Sequence, residues 1–234
     1  MSERFFIEHP SATEEVTFDE AESQHLAKVM RANVGDMVVG FDGKGTEFQI
    51  ELTSVGKKKV VGTVRSQEEV SREASRRLTL AVALPKGDRQ RWLVEKCVEL
   101  GVARLVPLLT KRGVAQPVEK AIDRLRRAVI EASKQCERNH LMQVGQGQSL
   151  EEVLASRPAA SFLLHPSGEA IHHDAIVPAS EVLAIIGPEG GFTDEEVAEA
   201  AQHGCQVVSL GPRILRVETA ALAMATLATA VPGP

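Results

Sequence analysis

Apolar and polar residues alternate in the first third of the chain, over residues 36–41, 46–52 and 59–65. A period of two predicts half-buried β-strands. Asp42 and Gly43, between the first two runs, are typical of a hairpin turn. Upstream, Asp19 followed by Glu22 predicts a helix start, and apolar residues recur through Met30. This part of the chain therefore predicts a small, mostly β unit.

The pattern changes after a polar stretch, residues 66–77, which has no apolar period and predicts a linker. Continuous apolar runs then alternate with helical periods, which favours a parallel α/β sheet. The predicted strands are residues 78–84, 104–109, 161–165, 182–187 and 206–210. Helices are predicted around Leu93, Cys97 and Leu100, over residues 118–137, after Thr193 with its capping Glu196, and over residues 219–231.

The helix over residues 118–137 carries a basic row on the side opposite its apolar stripe, because two residues correspond to about 200° of helix. The row consists of Lys120, Arg124, Arg127, Glu131, Lys134 and Arg138. A single sign over most of the row favours a nucleic-acid-binding face, although a solvated helix face remains the alternative. The stretch 76–138 is basic and lies between two acidic stretches, so the net charge of −5 hides this concentration.

Three Gly- and Pro-containing loops follow successive predicted strands, at residues 165–168, 187–191 and 210–219. Ligands of open parallel sheets bind beyond the carboxyl ends of the strands, so these loops are expected to form one crevice. Neither glycine loop has the dinucleotide or P-loop fingerprint. A nucleoside ligand held by backbone groups remains open, whereas His165 could be a ligand, a base or a turn residue.

The sequence gives little support for a disulfide framework, a metal site or a membrane protein. Three scattered cysteines without CxxC spacing indicate neither a disulfide framework nor a zinc site, and His172, His173 and Asp174 fit a solvated loop better than a metal site. We therefore expect no metal. The apolar stretch 220–231 is too short to span a bilayer and the N-terminus has no apolar signal core, so a soluble, cytoplasmic protein without membrane contact is expected.

Several strings resemble the RsmE family of 16S ribosomal RNA methyltransferases, in the right order and over nearly the whole chain. IIGPEGGFTDEE at residues 185–196 and LGPRILRVETAAL at residues 210–222 resemble the C-terminal signature of that family. The upstream strings are PKGDRQRWLVEKCVELGV at 85–102, EASKQCERN at 131–139, LHP at 164–166, HLAKVMRANVGD at 25–36 and FDGKG at 41–45. Lys134 and Glu137 depart from the family pattern, which puts the local contact of Glu137 in doubt.

This resemblance implies an α/β fold, with a PUA-like β-barrel over residues 1–70 that binds RNA and a SPOUT methyltransferase domain over residues 77–234. The SPOUT domain would have a parallel sheet and a C-terminal trefoil knot, which ordinary chain-threading rules would not predict. A homodimer is implied as well. The implied reaction transfers a methyl group from S-adenosyl-L-methionine to N3 of a uridine in 16S rRNA, as free rRNA or in the small ribosomal subunit.

The resemblance also implies site residues. The cofactor would be bound by Leu164, His165, Gly187, Glu189, Gly190, Gly191, Leu210, Gly211, Ile214, Leu215 and Arg216. Uridine N3 carries a proton at neutral pH, so we expect a buried arginine, Arg216, to stabilise the developing anion and Glu189 or Glu218 to accept the proton. RNA would contact Arg89, Arg91, Lys120, Arg124, Arg127, Lys134, Arg138 and Asn139.

Two other functions remain to be distinguished from the enzyme. A noncatalytic RNA-binding module would bind RNA through the basic row without dependence on the cofactor. A nucleotide-binding metabolic enzyme would bind NAD or ATP in the crevice, although the phosphate fingerprints are missing.

Overall fold

The computed structural model describes residues 4–8, 15–113, 119–176 and 178–230. The chain forms two compact units. One consists of Met1–Arg72 and Ser133–Leu141, and the other of Glu73–Ala132 and Met142–Pro234. The N-terminal unit therefore includes a segment that lies more than sixty residues downstream of its other part, a feature that the linear pattern of the sequence did not indicate.

The N-terminal unit contains a five-stranded sheet in the order β1-β3-β4-β5-β2. Its strands are β1 (Arg4–Phe6), β2 (Glu15–Thr17), β3 (Met37–Phe41), β4 (Thr46–Val55) and β5 (Val60–Glu69). The three predicted strands are confirmed, and the missed β1 and β2 have only three residues each. β5 continues beside β4 up to Glu69, so the first part of the predicted linker is strand. Phe5, Phe18, Leu26, Phe48 and Ile50 belong to the core of this unit.

The predicted first helix is present but changes type along its length. α1 (Glu20–Gln24) begins with the Asp19 side chain accepting a hydrogen bond from the backbone N–H of Glu22, 2.7 Å away. The chain continues as a π-helix over His25–Met30 and ends at Arg31, which has a φ of 55°. The capping prediction is confirmed, whereas the π-helical turn has no signal in the apolar period.

A buried polar network joins distant parts of the N-terminal unit around Glu47. The Arg4 guanidinium lies 2.9 Å from the carboxylate of Glu47, and Arg4 also donates to the Asn139 side chain. Asn139 donates to Glu47 over 3.2 Å and to the carbonyl of Val70 over 3.0 Å. Burial favours the neutral form of Glu47, but hydrogen bonds from Arg4 and Asn139 and the charges of Arg4 and Arg72 outweigh it and lower the pKa of Glu47.

The C-terminal unit contains a parallel sheet in the order β12-β10-β11-β6-β7-β8, with β9 also paired to β7. Its strands are β6 (Arg77–Val82), β7 (Arg104–Leu109), β8 (Gln143–Val144), β9 (Gln148–Ser149), β10 (Ala160–Ala170), β11 (Glu181–Ile186) and β12 (Gln206–Ser209). The five predicted strands and their parallel pairing are confirmed.

The helices of this unit are α2 (Arg89–Glu99), α3 (Glu119–Cys136), α4 (Leu150–Ala155), α5 (Asp194–Gln202) and α6 (Val217–Thr229). α6 contacts α2, β6 and β11, whereas α4 and α5 contact each other and α5 contacts β10 and β12. Strands covered by helices need apolar residues at successive positions, which explains their continuous apolar runs. The predicted ends of two helices, Val118 and Val231, lie outside the described residues.

The Ala-rich α6 is buried, as its composition predicted. Ala220, Ala221, Met224, Ala225 and Ala228 are buried, because small side chains allow the helix to approach its neighbours closely. The helix begins at Val217, two residues before the predicted start. Over the ranges that the structure describes, no helix is both long and apolar enough to cross a bilayer.

The Glu47 network predicts a pH-dependent stability. We expect Glu47→Gln to lower the free energy of unfolding by roughly 3 kcal/mol at neutral pH, because the buried Arg4 loses its counter-charge. The folded-state pKa of Glu47 is lowered, so its contribution is complete above the unfolded-state pKa and is lost as the pH falls through the folded-state pKa. Denaturant titrations at several pH values measure this difference.

The pH dependence separates the ion pair from packing. The difference between wild type and Glu47→Gln must shrink as the pH falls, whereas Arg65→Gln, which removes an exposed ion pair with Glu51, should cost less than about 1 kcal/mol. A constant difference at all pH values would contradict the electrostatic explanation.

Candidate functional site

The three predicted loops form one cleft at the carboxyl ends of β10, β11 and β12, with a volume of about 320 Å³. Every residue predicted to bind the cofactor lines this cleft except Arg216. The lining also includes residues that the sequence analysis did not select, namely Arg112, Pro166, Ile186, Pro188, Phe192, Val208, Ser209, Arg213, Val217 and Ala220. The predicted convergence of the loops is therefore confirmed.

The first of these segments is not a loop. His165 to Gly168 lie within β10, which has a register shift against β12 between Leu164 and Glu169. A Cβ atom at Gly168 would lie 2.6 Å from the backbone of Val208, so only glycine fits beside β12. His165 Nδ1 lies 2.7 Å from the hydroxyl of Ser167. The irregularity turns this part of the strand into one wall of the cleft.

Glycines shape the other two walls. A Cβ atom at Gly187 would lie 2.8 Å from the ring of Phe192, which is buried. Gly211 has a φ of 93°, and a Cβ atom there would meet no protein atom within 4 Å. Gly187 is therefore required for packing, whereas Gly211 is required by its backbone conformation.

The glycine loop after β11 is fixed to the segment after β7. Arg112 donates to the carbonyl oxygens of Gly190 and Phe192 over 3.1 and 3.3 Å. The buried Glu196 accepts from the backbone N–H groups of Thr193, at 2.8 Å, and Lys111, at 2.9 Å. The capping box of Thr193 and Glu196 is confirmed, and its glutamate also holds a second chain segment.

A charged cluster lies beside the cleft. Nη1 of Arg89 lies 2.8 Å from Oε1 of Glu189 and 3.4 Å from Oε1 of Glu218. The hydrogen bond from Arg89, followed by the charge of Arg89 and smaller effects of Arg216 and Lys86, outweighs desolvation and lowers the pKa of Glu189. The structure thus joins both predicted proton acceptors to an arginine that the sequence analysis assigned to RNA.

The prediction that Arg216 is buried is wrong, because the structure shows this residue exposed. It occupies the N-cap position of α6, between the cleft residues Leu215 and Val217. The backbone of Arg216 is extended, with a ψ of 156°. Arg216 therefore precedes the buried first turn of α6 and is not part of it. Its neighbour Ile214 is 88% exposed.

The basic row is exposed only along part of its length. Lys120, Arg124 and Arg127 are exposed, and the last two line a groove of about 510 Å³ together with Arg91, Gln90 and Glu131. Lys134 instead pairs with Glu22 within the N-terminal unit. The structure therefore brings Arg91 of α2 together with Arg124 and Arg127 of α3, three of the residues predicted to contact RNA.

The last two residues predicted to contact RNA, Arg138 and Asn139, are buried in the structure. α3 ends at Cys136, Glu137 follows with a φ of 61°, and the chain leaves the helical path. As a result, Arg138 is only 4% exposed and Asn139 is fully buried in the Glu47 network. These two side chains do not lie on the exposed row.

Among the described residues, no group of three or more His, Cys, Asp or Glu side chains could hold a metal ion. Cys97 and Cys205 are buried, and burial raises the pKa of the Cys97 thiol to about 12.

Two protein families match this chain. An RNA methyltransferase domain family matches residues 72–229, and an RNA methyltransferase PUA domain family matches residues 18–65. Ribosomal RNA small subunit methyltransferase E of Synechocystis is 37% identical over 88% of this chain and 69% of its own length. The protein of the same name from Bacillus subtilis is 32% identical over 94% of this chain and 93% of its own length.

Solved structures match over nearly the whole chain as well. A Legionella pneumophila methyltransferase with bound SAM has a TM-score of 0.92 and 32% identity, over 100% of this chain and 99% of that one. Ribosomal RNA small subunit methyltransferase E of Neisseria gonorrhoeae, bound to S-adenosylmethionine, has a TM-score of 0.88 and 29% identity over 97% and 96% of the two chains.

Glu196 provides a test of how the cleft is held. We expect Glu196→Ala to lower the free energy of unfolding by about 2 kcal/mol, because the backbone donors of Thr193 and Lys111 lose their acceptor. Glu195→Ala removes the same charge from the same helical turn and an exposed pair with Lys111, and should cost less than about 1 kcal/mol. Chemical denaturation compares them, and equal losses would show that charge at the helix start dominates.

Proposed function

The chain belongs to the family of the ribosomal RNA small subunit methyltransferase E enzymes, and from this premise we propose that it transfers a methyl group from S-adenosylmethionine to N3 of a uridine in 16S rRNA. The observation that carries the proposal is the single cleft formed by the irregular part of β10 and the segments after β11 and β12. This cleft lies where open parallel sheets bind their ligands.

The residues of the cleft fit this cofactor. Its volume lies in the range of small-molecule sites. Leu164, Ile186 and Leu210 offer apolar surface to an adenine ring, while the glycine segments expose backbone groups to a ribose. The charged lining residues Arg112 and Arg213 can pair with the carboxylate group of the methionine part.

When bound, S-adenosylmethionine supplies an electrophilic methyl group on its sulfonium. Methyl transfer needs an in-line approach of the nucleophile, so a rigid cleft contributes by positioning. Arg112 and Glu196 provide that rigidity, because they fix the glycine loop to the segment after β7. The fixed loops also limit the orientations in which a ligand can lie.

The uridine N3 proton must be removed, and the two candidate acceptors differ in their access to the cleft. Glu189 lines the cleft and is 62% exposed, whereas the Glu218 side chain is 10% exposed and lies outside the lining. We therefore assign proton acceptance to Glu189. Its lowered pKa keeps it ionised at neutral pH but makes it a weak base.

A weak base requires that the developing anion of the uridine be stabilised. The exposed Arg216 can do this at the cleft entrance, beside Leu215 and Val217. The charges of Lys86 and Arg216 both act on Glu189, which indicates a cationic environment around the reacting group. These positive charges stabilise the ionised form of the Glu189 carboxylate.

RNA binding is assigned to the groove between α2 and α3. Arg91, Arg124 and Arg127 line it, and Lys120 lies exposed on the same helix, so phosphate groups find several cations there. Scarce aromatic side chains, with one Trp and no Tyr, argue against base stacking as the main source of affinity. The PUA-like domain, residues 1–70, is the second RNA-binding element of the proposal.

The proposal extends to the trefoil knot within residues 77–234 and to a homodimer that acts in the cytoplasm. The return of the chain from the edge strand β12 to α6, which packs on β6 and β11, supports the knot. The exposed Ile214 beside the cleft supports a second subunit that covers it.

The central test measures methyl transfer from S-adenosylmethionine to small ribosomal subunits that lack the modification. We expect 3-methyluridine, identified by mass spectrometry, with wild-type protein. Arg216→Ala should bind the cofactor but lose turnover by about 10²–10³-fold, as when one anion-stabilising donor is removed.

Three results would contradict parts of this assignment. Unchanged single-turnover methylation would remove Arg216 from the mechanism. Cofactor binding without any transfer to the subunit would contradict the proposed target, and RNA binding without cofactor binding would favour the noncatalytic module.

Charge reversal tests the RNA groove. We expect Arg124→Glu with Arg127→Glu to lower RNA affinity at least tenfold and to reduce the slope of log K against log salt by about one for each lost phosphate contact. Arg77→Glu with Arg104→Glu changes the net charge equally at exposed positions at the starts of β6 and β7, outside both proposed RNA-binding elements. Fluorescence anisotropy at several salt concentrations compares them, and an equal loss in both variants would indicate general attraction rather than a local site.

A further inference from the structure

Arg89 begins α2 and connects two segments that form the cleft. Nη1 of Arg89 donates to Oε1 of Glu189 at 2.8 Å and to Oε1 of Glu218 at 3.4 Å. Glu189 belongs to the glycine loop after β11, and Glu218 belongs to the first turn of α6. One guanidinium therefore connects the glycine loop after β11 to the start of α6.

The two carboxylates need Arg89 for different reasons. Glu189 is 62% exposed, so water can solvate it without a partner. The Glu218 side chain is nine-tenths buried, and its Oε2 has no hydrogen-bond partner among the described residues. A buried carboxylate without a counter-charge is costly, so Glu218 depends on Arg89 for its charge compensation.

The start of α2 shows how Arg89 reaches both groups. Gly87 has a φ of 67°, so the chain turns sharply after Pro85 and Lys86. The Gln90 side chain donates to the Pro85 carbonyl over 2.7 Å and fixes this turn. Arg89 consequently faces Glu189 and Glu218, whereas Arg91 pairs with Glu95 on its own helix and lines the basic groove.

We propose that Arg89 is a positioning residue for cofactor binding, and that it holds the glycine loop and the start of α6 in the spacing that the cofactor needs. Of the two α2 arginines that the sequence predicted to contact RNA, Arg89 and Arg91, this assigns the RNA contact to Arg91 alone. This inference rests on the proposed function, because it takes S-adenosylmethionine as the ligand of the cleft.

An arginine suits this role better than a lysine. Its planar guanidinium offers several N–H donors in a fixed arrangement, whereas an ammonium is a more strongly hydrated point charge. Arg89→Lys is therefore expected to bind the cofactor more tightly than Arg89→Gln and more weakly than wild type.

The test measures the Kd for S-adenosylmethionine by calorimetry and the Kd for a 16S rRNA fragment by anisotropy, for each full-length variant. We expect Arg89→Gln to raise the cofactor Kd about tenfold, which corresponds to about 1.4 kcal/mol, and to leave the RNA Kd within twofold. Arg91→Gln should weaken RNA binding instead. Lys96→Gln, which removes an ion pair with Glu99 from the same helix, serves as the control for both measurements.

A double variant distinguishes positioning from misfolding. Arg89→Gln leaves the Glu218 carboxylate buried and uncompensated, so adding Glu218→Gln should restore thermal stability and recover part of the cofactor affinity. A cofactor Kd that Arg89→Gln does not change, or an RNA Kd that rises as much as the cofactor Kd, would overturn the proposal. Failure of the wild-type protein to bind the cofactor would instead overturn the proposed function on which the inference rests.

Discussion

β12, β10 and β11 pair in parallel, so all three strands run toward the same end of the sheet. Residues as far apart in the chain as Arg112 and Ala220 therefore meet around one cleft. Parallel strands need crossover segments, and here one segment leads from β10 to β11 and the segment that contains α5 leads from β11 to β12, whereas α6 follows the last strand. The charged contacts of Arg89, Arg112 and Glu196 then fix loops whose general position the sheet has already determined.

Local sequence correctly predicts the elements that are determined by residues close together in the chain. The sequence predicted the strands of the C-terminal unit that have continuous apolar runs. Burial on both faces of such a strand requires apolar residues at successive positions. The capping box of Thr193 and Glu196 was found because its two members are three residues apart. The cleft itself followed from the order of strands and loops, with the family resemblance supplying its ligand.

The features that the sequence did not predict depend on contacts between residues that lie far apart in the chain. Burial of Asn139 follows from its contacts with Arg4 and Glu47, which no helical period can reveal. Exposure of Arg216 follows from where α6 begins, since an N-cap residue points away from the buried turn. Arg112 had no signal except one more positive charge in a basic stretch, yet its donors hold the glycine loop. Arg89 resembled Arg91 in sequence, and only the positions of Glu189 and Glu218 separate the two.

The segment Ser133–Leu141 belongs to the N-terminal unit although β6, α2 and β7 of the second unit come before it in the chain. Asn139 completes the buried network of Arg4 and Glu47, so this unit cannot reach its final packing while only its first 72 residues have left the ribosome. Translation must continue for nearly seventy more residues, which takes several seconds at typical elongation rates of about 5–20 residues per second. The first domain to be synthesised is thus completed only when part of the second has already emerged, and folding of the two is coupled in time.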